Sequence, residues 1–286
     1  MRWKQLESFT AVTPCLVTWT FLVHCALSVF VNQVFFGYNL GDSLENGSRG
    51  LLNSTFQANL LLMAATLPLL VVAGKQRWRE FWLDRLCWRR AVCWLVGLVL
   101  LYQLCVIALG GWEAVRISED WIDGNACAST GRVLAQLFGN ALYEELLFRA
   151  FFLTQFFLQL RARKWSNATS LVIAIIASQA LFAIMHIPNR LYKGSYDSIA
   201  GIIFDQSALF LFGLYYAIVL MAFRTLTVPV ILHAFWNAPP AVLSSGADDW
   251  SVDTTLNVFR LFTLLVVMVG AVYSVRRSRN ASKSRT

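Results

Sequence analysis

Histidine occurs only three times in this chain, at His24, His186 and His233, and charged residues make up just 14% of its 286 residues. Soluble domains carry about a quarter charged residues, so charge this sparse excludes an ordinary soluble globular protein. The six cysteines, Cys15, Cys25, Cys87, Cys93, Cys105 and Cys127, form no C-x-x-C pair, so no redox or metal motif of that kind is present and they read as small apolar core residues. There is no Pro- or Gly-rich linker and no internal repeat, which argues against division into domains. One membrane domain over 1–286 is therefore expected, with a catalytic core at about 132–244 and residues 276–286 as a basic tail.

What the chain does have is apolar length. It is 57% hydrophobic with mean hydropathy +0.57. Apolar runs cover 9–36, 56–74, 91–111, 132–160, 167–187, 199–223, 227–244 and 256–275. Membrane-barrel strands would be about 10 residues long and strictly alternating, whereas these runs are near-continuously apolar and about twice as long. The fold class read from them is all-α: a polytopic integral membrane protein with about eight transmembrane helices in one bundle. The first run shows no small-residue cleavage site and reads as a retained helix rather than a removed signal.

A net charge of +8 invites a nucleic-acid reading, but the basic residues mark one side of the membrane instead. Arg2 and Lys4 precede the first run; Lys75, Arg77, Arg79, Arg85, Arg89 and Arg90 fill the second gap; Arg161, Arg163 and Lys164 the fourth; Arg224 the sixth. The intervening gaps carry Asp42 and Glu45, then Glu113, Glu119, Asp120 and Asp123, then Asp248, Asp249 and Asp253, while the gap with Arg190 and Lys193 is mixed. The positive-inside rule then makes both termini cytoplasmic, and nucleic acid is not needed as a partner. The expected location is a cell (inner) membrane if the source is bacterial, or the ER membrane if it is eukaryotic. The loop KQRWREFWLDRLCWRR reads either as an interfacial amphipathic helix or as a solvated basic loop.

Three polar clusters interrupt the apolar runs. A charge at mid-membrane costs roughly 2.5–3.5 kcal/mol on insertion scales, so a chain that retains several is expected to use them. In NALYEELLFRAFF, consecutive side chains point about 100° apart, so Glu144 and Glu145 face different directions. Arg149 stands four residues after Glu145, the pairing distance on a helix face, which would leave Glu144 free as a base. The bland alternative is a buried ion-pair knot that only joins helices. In ASQALFAIMHIPN, His186 is a proton-transfer candidate or an interfacial helix-end residue. In VPVILHAFWNAPP, His233 and Asn237 share a helix face and can both donate to an oxyanion. Pro239 and Pro240 there lack N–H groups, which should free the carbonyls of Phe235 and Trp236. His24 and Asp205 stand alone and read as structural and interfacial.

EELLFR, FAIMH and HAFWN fit the patterns E-E-x-x-x-R, F-x-x-x-H and H-x-x-x-N in that order. Together, over about 140–240, they resemble the CAAX protease and bacteriocin-processing (Abi) family of intramembrane endopeptidases, related to type II CAAX prenyl proteases. The resemblance implies that Glu144 and His186 activate water, that His233 and Asn237 stabilise the oxyanion, and that Glu145 and Arg149 support the glutamate helix. Its implied partners are membrane lipid and a protein or peptide substrate, such as a prenylated protein, a bacteriocin or pheromone precursor, or a C-terminal sorting signal.

Two readings stay open beside it. Glu144, His186 and His233 are also a conceivable zinc set, although no H-E-x-x-H is present and the resemblance favours a glutamate mechanism with no cofactor. A proton-coupled transporter or immunity-type binding protein would also use intramembrane Glu, His and Arg, but has no reason to combine these three motifs. Depth counting is awkward: at 1.5 Å per residue Glu144 lies about 24 Å from the basic end of its run, and His233 about 9 Å from the basic start of its own.

Overall fold

The computed structural model of the protein describes residues 4–7, 9–81, 87–110, 112–122, 125–239, 241–245 and 249–283. It is an all-α bundle. The long helices are α1 (Pro14–Phe36), α2 (Ser54–Ala73), α3 (Cys87–Gly110), α4 (126–162), α5 (Asn167–Tyr192), α6 (Ile199–Phe223), α7 (Thr227–Asn237) and α8 (Asp249–Lys283). Their starts follow local chemistry, because a side-chain oxygen satisfies an otherwise orphaned first-turn N–H. Thr13 accepts from Leu16 ahead of Pro14, Asn53 from Phe56, Ser166 from Thr169 and Ser198 from Gly201.

Among the described residues, five helices are long and apolar enough to cross a membrane: Pro14–Phe36, Ser54–Ala73, Ala91–Gly110, Asn167–Tyr192 and Ile199–Phe223. The eight apolar runs are thus not eight equivalent spans. The seventh run is helical only over Thr227–Asn237. At 1.5 Å per residue that is about 16 Å, half the thickness of a hydrocarbon core. Beyond it the chain forms strand β2 (Leu243–Ser245), antiparallel to β1 (Val115–Ile117), with Val115 opposite Ser245. Ser118 N–H donates to Val242 O and Trp121 Nε1–H to Ala241 O, tying both connections into one cap.

Helix α4 is the axis of the bundle. Every residue from Glu145 to Gln155 is buried, and Phe148, Phe151, Phe152 and Phe157 fill the space between it and its neighbours. Two stretches, Ala135–Asn140 and Glu145–Phe152, wind as π-helix. Such widened turns rotate the following side chains and recur at functional sites. Gly131 lets the 37–53 connection press onto α4, since a Cβ there would collide with the Gly50 carbonyl.

At the opposite end of α4 a polar network is complete. Gln155 accepts from Val12 N–H at 2.9 Å and donates to Thr10 O at 3.0 Å; Gln76 also donates to Thr10 O; Glu80 accepts from both Thr10 N–H and Thr10 Oγ1. Of the KQRWREFWLDRLCWRR stretch, Trp78–Phe81 forms a 3-10 turn, α3 begins at Cys87, and 82–86 lie outside the described residues. The cysteines are only partly core: Cys105 is buried, but Cys15, Cys93 and Cys127 are exposed on the bundle surface, and no disulfide joins those described.

Candidate active site

The three polar clusters meet. Glu144 (α4) lies between two imidazoles, with Oε1 3.7 Å from His186 Nε2 (α5) and Oε2 3.5 Å from His233 Nε2 (α7). All three border a cavity of about 690 Å³ that also takes in Asn237, Tyr143 and Tyr216. The mismatch in depth disappears because α7 starts inside the protein: Leu226 is 0% exposed and Thr225 5%. The α6–α7 turn is sunk into the bundle, so six residues along α7 bring His233 level with the middle of α4.

The other carboxylate faces away from the cavity. Glu145 is fully buried, with Oε1 2.8 Å from His233 Nδ1 and 3.3 Å from Arg149 Nη1. Arg149 is also fully buried, and its guanidinium lies 3.9 Å over the Phe182 ring and 5.5 Å over that of Tyr216. None of its nitrogens has hydrogen-bond alignment, so charge and the ring faces hold it. The contact of Glu145 with His233 was not read from the sequence. Its signal was present, in the different direction taken by a second glutamate, but the partner is 88 residues away.

Hydrogen-bond partners fix the imidazoles. His186 Nδ1 lies 2.8 Å from Phe182 O, and a carbonyl only accepts, so this nitrogen carries a proton. His233 Nδ1 faces the Glu145 carboxylate and carries one for the same reason. Both Nε2 atoms therefore face Glu144, at separations too long for direct hydrogen bonds and short enough to share a proton or a water with it. Tyr216 stacks on His233 with centroids 4.8 Å apart and planes 16° apart, which locks the ring. Asn237 Nδ2 donates to Gln136 Oε1 at 3.1 Å, leaving a second amide proton for the cavity.

Two residues taken as solitary are not. His24 Nδ1 lies 2.7 Å from Tyr143 Oη, which also meets Thr66 Oγ1 at 3.3 Å, and His24 borders the cavity. This bond joins α1 to the residue before Glu144; its partner is 119 positions away and on another helix, out of reach of any spacing rule. Asp205 is paired with Arg190 at 3.5 Å and accepts from Tyr196 Oη at 2.7 Å, because the α5–α6 turn folds both back onto α6. Burial and the hydrogen bond to Asp205 push the Tyr196 phenol above its usual range, so it remains the donor at neutral pH. The Trp236 carbonyl accepts from Arg260 Nη2 at 2.9 Å; Pro240, four residues on, lies outside the described residues.

The two imidazoles address different oxygens of Glu144 rather than one common point. Among the described residues no three His, Cys, Asp or Glu side chains converge as a metal-ligand set.

Residues 127–239 match the Rce1-like family, described as type II CAAX prenyl endopeptidase Rce1-like. No curated protein and no solved structure matches the chain. The match contains every motif residue from Glu144 to Asn237 and bears out the resemblance carried by the three motifs. At family level it implies a peptidase in a helical membrane setting. His24, Asn32 and Arg260, which border the same cavity, lie outside the matched segment.

Proposed function

We propose, taking the endopeptidase match as premise, that this chain hydrolyses a peptide bond within the membrane with Glu144 as general base. The observation that carries this reading is the Glu144 carboxylate between two Nε2 atoms on the wall of a peptide-sized cavity. A water bound by Glu144 and His186 gives up a proton to the carboxylate as its oxygen adds to the scissile carbonyl carbon. Negative charge then collects on the carbonyl oxygen, where His233 and Asn237 present N–H groups. His233 is held in line for this by the Glu145 carboxylate 2.8 Å from its Nδ1. The C–N bond breaks as Glu144 passes the proton to the leaving amine, which balances the step with one water consumed and no cofactor. Glu145 and Arg149 touch no substrate and are positioning residues.

The test is comparison of protein termini, by mass spectrometry of membranes from a strain lacking the gene and from the same strain complemented. The unsubstituted chain should restore removal of a retained terminal segment, and Glu144→Gln and His186→Ala should not. Restoration by Glu144→Gln at a normal rate would remove it from the mechanism. A transporter would change no protein termini at all.

A further inference from the structure

All the helices around the cavity contribute to it from one end of the bundle. Asn32 and Phe36 come from the C-terminal end of α1, Thr55 and Asn59 from the N-terminal end of α2, Gln136 from the first half of α4, and Lys193 from just beyond α5. Because successive helices run in opposite directions, these residues define one depth range, from Glu144 out to the connections 37–53, 112–122, 193–198 and 241–245. Those connections hold Asp42, Glu45, Glu113, Glu119, Asp120 and Asp197. Near this end Arg132 and Arg190 are paired with Asp120 and Asp205, and Arg260 donates to the Trp236 carbonyl, leaving Arg49, Arg116 and Lys193 as the basic residues of the connections themselves. Lys75, Arg77, Arg161, Arg163, Lys164 and Arg224 all lie at the other end, which the cavity does not reach. Short loops rich in Lys and Arg stay cytoplasmic.

A second observation concerns the chemistry of the outer half. Asn32 is only 7% exposed, borders the cavity, and makes no side-chain hydrogen bond to any described residue. It sits in the π-wound end of α1, Val31–Phe36. Asn140 and Asn189, partly buried, border the cavity with side chains that also make no hydrogen bond to any described residue. A buried amide without a partner, as at Asn32, is costly in an apolar bundle, and an amide offers one acceptor and two donors, the complement of a peptide group.

We infer that the cavity receives its substrate from the extracytoplasmic side, as an extended peptide segment of a translocated or membrane-anchored protein whose backbone is bonded by Asn32. This rests on the peptidase reading and narrows it: the substrate class is a segment exposed outside the cytoplasm, not a cytoplasmic prenylated terminus. The α1 wall, outside the matched segment, supplies recognition, while α4, α5 and α7 supply the chemistry.

Access is tested independently of catalysis in a Glu144→Gln chain with its native cysteines replaced. Thr55→Cys and Asn189→Cys should react with a membrane-impermeant maleimide on intact cells, and Lys164→Cys only after permeabilisation. The reverse pattern overturns the inference and leaves the peptidase reading standing. The binding role is tested with a synthetic peptide spanning the cleavage point found by the terminal comparison. Asn32→Leu should raise KM about tenfold with kcat within about twofold, and Asn32→Gln should recover part of the loss. If Asn32→Leu does not fold, Asn32→Ser, which keeps a shorter hydrogen-bonding group, should raise KM by a smaller factor. An unchanged KM in a folded variant overturns the assignment of Asn32.

Discussion

Buried polar groups occupy both ends of this bundle, and they are treated in opposite ways. At the basic end, Gln155, Gln76, Glu80 and the backbone of Thr10 and Val12 bond to one another. At the cavity end, Asn32, Asn140 and Asn189 surround open space, and Glu144 faces two imidazoles without touching either closely. Gln155, Gln76 and Glu80 in the first set and Asn32 in the second are buried, so both sets carry a desolvation cost. Only the first recovers it within the protein. A completed network acts as a fastening, and an uncompleted one of similar composition is the mark of a place where something else binds. This distinction follows from partners rather than residue types, since side-chain amides and a glutamate occur in both sets.

The contrast can be broken by experiment. The largest effect is expected at Glu144: Glu144→Gln should lower turnover about 100- to 10,000-fold, the range for a lost general base, with the melting temperature in detergent unchanged. A variant that unfolds instead would place Glu144 among the fastenings. Next comes Arg149→Leu, which leaves Glu145 buried beside His233 without its cation. Breaking a buried pair costs about 3–5 kcal/mol, so this variant should show a large drop in thermal stability. Normal stability would mean that the rings of Phe182 and Tyr216, not the charge, fix this region. Asn237→Ala should reduce kcat about 100-fold or more if its amide meets the oxyanion, with KM little altered. Gln155→Leu should destabilise by about 1–3 kcal/mol through unpaired Val12 N–H and Thr10 O, with kcat/KM of the folded fraction preserved. If turnover fell instead, the two ends would be coupled along α4. The smallest effect is expected from strong chelation, which should leave the activity of purified protein intact; loss restored by added zinc would contradict the glutamate mechanism.

Much of the site was legible because its parts are local. The pairing of Glu145 with Arg149 follows from the i, i+4 spacing, and a shared helix face follows for His233 and Asn237. Of the residues in the three motifs, Glu144, Phe182, His186, His233 and Asn237 line one cavity, while Glu145 and Arg149 lie outside its lining. What escaped were contacts between helices. His24 looked solitary because Tyr143 is on α4, Asp205 because Arg190 and Tyr196 return to it only through the α5–α6 turn, and Glu145 looked like a mere partner for Arg149 because His233 arrives from α7. The length of α7 was also misjudged from the sequence. Hydrophobicity at 238–244 is compatible with either helix or strand, and the pairing of Leu243–Ser245 with Val115–Ile117 decides between them.

Composition and periodicity by themselves determined the membrane class, the helical fold, the charge asymmetry between the two ends and the candidate site residues, because each depends on neighbours within a turn or on averages over a run. Tertiary structure alone decided which end the cavity occupies, which carboxylate faces it, and which buried amides lack partners. Those properties depend on distances between residues far apart in the chain, such as Val12 and Gln155, 143 positions from one another. Packing sets such distances, and no local pattern encodes them.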